Sequence, residues 1–168
     1  MSRTETITNW FEKYSDDIYN FLIYYTGSTD VEDYVQEVFI KALRNYHSFK
    51  GDSNPKTWLF SIARNVAVDE MRKRKKETKK QQKSMKQKKE SSLKTPEEVY
   101  QLNESKKELY QIIRTLKSNY RDVLILRGIK EFTVQETAEI LNWTENKVKV
   151  TYHRALKAVE KKLRRSDA

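Results

Sequence analysis

The sequence predicts an all-α protein of two small helical domains joined by a flexible basic linker, and three observations lead there. Among 168 residues there are only three Gly and two Pro while 35% are charged, a balance that disfavours a turn-rich β protein. Apolar residues recur every three or four positions in stretch after stretch, the period of a helix with one buried face. Residues 77–95 (ETKKQQKSMKQKKESSLKT) have no such period and almost nothing to bury, so they are expected to stay flexible and to part a domain at 1–76 from one at 96–168.

The elements follow in order. In residues 7–26, Trp10, Tyr14, Ile18, Phe21, Leu22 and Tyr25 give one broad apolar face, and Gly27 suits the position just past a helix end. A second helix is expected from about Asp30 to Tyr46. Asp30, Glu32 and Asp33 lie in its first turn, where the helix dipole favours negative charge, and Val31, Val35, Val38, Phe39 and Leu43 form its core face. Its outer side, Glu32, Asp33, Gln36 and Glu37, is acidic and amide-bearing, either a solvated surface or a docking face for a basic partner. His47–Asn54 reads as a polar loop. Asn54-Pro55 then fits an N-cap followed by the first helical position, where the missing donor of Pro costs nothing. The third helix, Pro55 to about Lys76, is expected to bury Trp58, Leu59, Ile62, Val66 and Met71.

Beyond the linker, a helical region opens at Pro96. Val99, Leu102, Leu109, Ile112, Ile113 and Leu116 supply apolar faces, followed by Tyr120, Val123, Leu124 and Leu126. Thr133 with Glu136 is the T-x-x-E of a capping box. A short helix comes next, Asn142-Trp143 interrupts it, and Thr144 is a second N-cap. From there Val148, Tyr152, Ala155, Val159 and Leu163 make one apolar stripe. The opposite face carries Asn146, Val150, His153, Arg154, Lys157 and Lys161. A short helix, a tight turn and a longer helix with a basic outer face is the pattern of a helix-turn-helix DNA reader.

Charge and composition narrow the chemistry. The net charge of +10 is unevenly spread: residues 72–94 hold twelve Lys and Arg against two Glu, residues 1–71 are net −4 and residues 95–168 net +4. An acidic front, a very basic middle and a mildly basic back suggest different partners for different parts. There is no Cys, and His47 and His153 are the only His, so disulfides and thiolate metal sites are excluded and no cofactor is expected. With no nucleophile–base set and no phosphate loop, the chain is not expected to be an enzyme. The longest apolar run, Phe21 to Tyr25, falls far short of the ~20 residues of a membrane span. A cytoplasmic protein with no direct membrane insertion is the expectation.

VEDYVQEVFIKAL (31–43), NPKTWLFSIARNVAVDEMRKRK (54–75) and YRDVLILRGIKEFTVQETAEIL (120–141) together resemble conserved regions two and four of bacterial sigma factors, closest to the extracytoplasmic-function (ECF) group. The resemblance spans nearly the whole chain. It implies a protein that confers promoter specificity on core RNA polymerase. Asp33, Gln36 and Glu37 would dock on the clamp coiled coil of the largest subunit, and the back domain would meet the flap. The loop residues Lys50, Asp52, Ser53 and Asn54, with Arg64, Asn65 and Arg72, would read and open the minus-ten element. Arg127, Lys149, Val150, His153, Arg154 and Lys157 would contact the minus-thirty-five element. An anti-sigma factor, often one anchored in a membrane, is the further partner implied. A free-standing helix-turn-helix repressor or activator is the alternative that the residues leave open.

Overall fold

The computed structural model describes residues 2–84 and 104–167. Seven helices account for nearly all of them, with no strand among the described residues: α1 (Arg3–Thr26), α2 (Glu32–Arg44), α3 (Pro55–Ser84), α4 (Glu104–Thr115), α5 (Ser118–Val123), α6 (Val134–Leu141) and α7 (Glu145–Asp167). None of the described helices is long and apolar enough to cross a membrane.

The expected caps are present. Thr133 Oγ1 accepts from the Glu136 amide at 3.1 Å while Glu136 Oε1 accepts from the Thr133 amide at 2.9 Å, a complete capping box at the start of α6. Thr144 Oγ1 accepts from the Lys147 amide at 3.1 Å to open α7, and Asn54 Oδ1 accepts from the Lys56 amide at 2.8 Å to open α3. α1 begins four residues earlier than its apolar pattern suggests. Its first turn is polar, and the signal there is another capping pattern, Ser2 to Glu5, in which Ser2 accepts from the Glu5 amide at 3.1 Å.

Two differences concern α3 and the chain after it. The helix runs to Ser84, so residues 77–84 of the expected flexible segment are helical. Lys, Gln and Glu are good helix formers, and this run has no Gly or Pro to stop propagation from a nucleated helix. The remainder of that segment and the expected helix start at Pro96, with Val99 and Leu102, lie outside the described residues. Trp58, Ile62 and Met71 are half-buried rather than buried, while Phe60, Ala63 and Ala67 are fully enclosed. Between α5 and α6 the chain widens into a π turn, Leu124–Ile129, closed by the Lys130 amide donating to the Ile125 carbonyl at 2.8 Å.

α1, α2 and α3 form one bundle around Ile18, Phe21, Leu22, Val38 and Leu59; α4 to α7 form another around Ile113, Val123, Leu126 and Val148. These bundles are not separate bodies. α3 packs along α6, and a single apolar cluster runs through both. Phe60 lies with its ring centroid 5.2 Å from Phe21 on one side and 4.9 Å from Phe132 on the other, both edge-to-face. Polar contacts cross the same seam. Arg114 Nη1 donates to the Tyr25 carbonyl at 2.6 Å, Lys130 Nζ lies 3.9 Å from Asp17, and Arg64 Nη2 donates to Asp122 Oδ2 at 3.1 Å.

Gly27 sits at this seam in the left-handed conformation (φ 74°), its amide donating to the Ile23 carbonyl at 2.8 Å to end α1. A Cβ there would stand 2.8 Å from the Arg114 guanidinium. Gly27→Ala therefore combines a left-handed penalty of about 1–2 kcal/mol with displacement of Arg114 from the Tyr25 carbonyl. Thermal unfolding should show a loss at least that large, and an unchanged midpoint would mean that neither constraint is real.

Candidate nucleic-acid interface and polymerase-docking face

The helix-turn-helix is built by α6, the Asn142–Thr144 turn and α7. Asn142 adopts φ 58°, which Asn tolerates better than most side chains, and the Trp143 amide donates to the Ala138 carbonyl at 3.0 Å. Val148 and Ala155 are fully buried, and Tyr152 and Leu163 are half-buried, which fixes the rotation of α7. Lys149, Val150, His153, Arg154 and Lys157 consequently all face outward, with Val150 38% exposed among cations. Beside them a groove of about 320 Å³ runs between α7 and the start of α5, bounded by Lys117, Asn119, Tyr120, Lys147, Val150 and Arg154. Neither Lys117 nor Lys147 is among the DNA contacts expected from the sequence. The first occupies the N-cap position of α5 without a side-chain capping bond and lies 4.6 Å from the Tyr120 ring; the second lies 4.3 Å from the Trp143 ring.

Arg127 differs from the rest of the expected upstream set. It is half-buried, donates through Nη1 to the Phe132 carbonyl at 2.7 Å, and stacks 5.3 Å from the Tyr152 ring. In the packed chain it ties the π turn to α7. A charge in the right part of the motif does not reveal that the Phe132 carbonyl, a turn further along the chain, will claim it.

In the front bundle, the His47–Asn54 loop is pinned from beneath. Phe49 enters an aromatic cluster with ring centroids 5.2 Å from Trp10 and 5.3 Å from Trp58, and Trp10 also meets Tyr46 at 5.9 Å. Trp58 therefore packs, as its helical spacing implied, yet stays half-exposed beneath the loop. Lys50, Asp52 and Asn54 are exposed and Ser53 half-exposed, with Gly51 supplying a left-handed turn (φ 77°). Asn65 and Arg72 are exposed on α3.

Arg64 is again different. Its guanidinium is held by Asp122 of α5, whose side chain is 1% exposed. Burial raises the Asp122 carboxyl above the ordinary carboxylate range, and Arg64 offsets that only in part. Burial likewise opposes the charge on Arg64, but Asp122 outweighs it and the guanidinium ends more firmly protonated than usual. In this arrangement Arg64 is held at the interdomain seam by Asp122. Asp122, separated from it by 58 positions, carried no sequence signal as its partner.

The residues expected to dock lie on the outer side of α2. Asp33, Gln36 and Glu37 are exposed on α2, and Glu37 makes an i,i+4 pair with Lys41 at 3.5 Å. Ile40, 49% exposed, continues the same face one turn further. It is an apolar centre that the acidic pattern had hidden.

Two helical bundles of this order, the second ending in a helix-turn-helix, define a bipartite helical DNA-binding protein. The family pattern described as Sigma-70 region 2 matches residues 10–77, and that described as Sigma-70, region 4 matches residues 106–159. The chain is 38% identical over 164 residues to the ECF RNA polymerase sigma factor SigX of Bacillus subtilis, covering 94% of this chain and 83% of that one. It is 29% identical over 160 residues to the ECF RNA polymerase sigma-E factor of Escherichia coli K12, covering 90% and 83%. The fold is shared with the sigma factor RpoE of Bartonella quintana, solved in complex with the anti-sigma factor NepR (TM-score 0.74, 23% identity, 95% and 98% covered). It is shared too with CnrH, solved with the cytosolic domain of CnrY (TM-score 0.70, 17% identity, 98% and 91% covered). The chain belongs to the ECF group of the bacterial sigma-70 family. It is an RNA polymerase sigma factor, a subunit that joins core polymerase, recognises promoter elements and promotes their melting. The region 2 match leaves the free-standing repressor unfavoured.

Proposed function

We propose a division of labour in which residues 1–76 dock on core polymerase and open the minus-ten element, residues 96–168 grip the minus-thirty-five element, and residues 77–95 connect them. The observation that carries it is the outward face of α7: Lys149, Val150, His153, Arg154 and Lys157 stand clear of the core on a helix whose start is capped and whose rotation is fixed by Val148 and Ala155. Lys and Arg there hold phosphates and set register, while side chains reaching base edges specify sequence; Val150 supplies an apolar surface for a thymine methyl or a sugar. In the front half, the exposed polar loop Lys50–Asn54 over Trp58, with Asn65 and Arg72 alongside, is the proposed place for bases taken out of the stack. Asp33, Gln36, Glu37 and Ile40 form the docking patch for the clamp coiled coil.

Elements centred near positions minus thirty-five and minus ten lie roughly 25 base pairs apart, which is ~85 Å of duplex at about 3.4 Å per step, and the proposed reading has the two halves part on the polymerase to span it. Parting of the seam would release Arg64 from Asp122 and free it for the promoter strand. An anti-sigma factor is the proposed regulatory partner, a reading supported by the Bartonella quintana sigma factor of like fold, which was solved with the anti-sigma factor NepR bound. No catalytic role is proposed, and the site of action is the cytoplasm, where polymerase and template lie.

The test is transcription in vitro with core polymerase and start-site mapping. Lys149→Ala and Arg154→Ala should each weaken initiation at a promoter bearing the upstream element by roughly 5- to 100-fold, equivalent to about 1–3 kcal/mol per contact. Normal initiation by both variants would remove α7 from the reading site.

A further inference from the structure

The seam between the halves gathers positive charge from both sides. A groove of about 400 Å³ is bounded by Tyr25 of α1, by Arg64, Arg72 and Lys75 of α3, and by Ser118 and Arg121 of α5. Asp122 is the carboxylate against this group, and it is already taken by Arg64. Arg121 lies 5.6 Å from the Tyr25 ring, and among the described residues no carboxylate stands within ion-pairing distance of it. The buried Nε atoms of both Arg64 and Arg121 have no hydrogen-bond partner. The charge continues along the seam into a second cleft of about 370 Å³, where Lys75 is joined by Lys79, by Arg114 and by Arg74, the last paired with Glu70 at 3.4 Å. Burial lowers the pKa of Arg114, and the positive charges of Arg121 and Arg74 lower it further, as expected where like charges are crowded.

Cations brought together from two bodies oppose the packing that assembles them. An anion lodged between them removes that opposition, so its binding and closure of the seam must favour one another. Guanidinium and ammonium groups arranged on two sides of one groove match the several oxygens of a phosphate better than a single carboxylate. We propose that the seam is a binding site for a small phosphate-bearing polyanion, held by Arg72 and Lys75 from one half and Arg121 from the other, that keeps the two halves closed. The occupied form withholds Arg64 and Arg72 from a promoter strand, which makes the site a means by which a small anion restrains the factor. The binding site rests on the packed seam itself; only its restraint of the factor rests on the proposed reading of Arg64 and Arg72.

The experiment uses the full chain and inorganic pyrophosphate, titrated at constant ionic strength with chloride as the balancing ion. Because the chain has no Cys, Glu12→Cys and Lys161→Cys, one exposed position in each half, allow specific dye labelling. Pyrophosphate should raise both energy transfer and the unfolding midpoint in a saturable way. Arg121→Gln and Lys75→Gln should each weaken the apparent affinity by at least about tenfold, while Arg44→Gln, exposed on α2, should not. Lys75 is exposed and its replacement removes no core packing, so its variant remains informative if Arg121→Gln folds poorly. An equal response from all variants would reduce the effect to ionic screening and overturn the site. Competition by a short single-stranded oligonucleotide with no response to pyrophosphate would also overturn it, assigning these cations to the nucleic-acid path alone.

Discussion

Phe60→Ala should destabilise the protein by about 3–5 kcal/mol, the range for emptying a large aromatic from a closed core. Phe60 is fully buried, and its two ring partners come from different halves: Phe21 belongs to the front bundle and Phe132 to the segment leading into α6. The cavity would thus open within the front core and along the seam together. For a chain of this length, about 2–4 °C per kcal/mol gives a fall in midpoint on the order of 10 °C. The shape of the transition is as informative as its position. With the seam intact, both halves should melt in one cooperative step; with Phe60 truncated, two steps should separate in calorimetry because the shared cluster no longer couples them. A loss below about 1 kcal/mol, still in one step, would show that Phe60 is not the joint between the bundles.

The second large effect concerns association. Reversing Asp33 and Glu37 to Lys should weaken binding to core polymerase by roughly 100-fold or more, since close charge pairs across interfaces couple by about 1.5 kcal/mol or above each and like charges then oppose docking. The fold should be indifferent. Both side chains are exposed, and the loss of the Glu37–Lys41 pair costs only a few tenths of a kcal/mol. Retained helicity with lost co-purification of core polymerase is the expected pair of results. Undiminished association would move the docking surface away from α2. Ile40→Ser offers a graded companion, because removing an exposed apolar centre should weaken docking without introducing repulsion.

Much of the local structure was legible in the chain because local structure has local causes. The capping box at Thr133, the caps at Thr144 and Asn54, and the helix end at Gly27 each involve donors and acceptors within four residues of one another. The apolar stripe of α7 fixed in advance which of its residues would face outward, and Lys149, Val150, His153, Arg154 and Lys157 do so. The acidic turn of α2 was equally readable, though Ile40 was not, since an apolar residue beside a charged face looks like core until the packing shows it uncovered. The polar first turn of α1 carries no apolar period, and the Lys- and Gln-rich end of α3 buries nothing although its helix propensity is high, so neither leaves a burial pattern in the sequence.

What the sequence alone determined about this protein is its helical class, its two reading modules and the family pattern that makes it a sigma factor. Periodicity reports which face of a helix avoids water. It does not report what covers that face. Only the tertiary structure decided that α3 and α6 cover one another, that Phe60 and Phe132 meet, and that Arg64 is held by a buried carboxylate 58 residues away. It also decided that Arg127 braces the Phe132 carbonyl while Arg121, six positions earlier, lines a cationic groove. An arginine carries the same charge in both places, but its role follows from which oxygen the fold brings within about 3 Å of it, and that distance is set by packing across the whole chain.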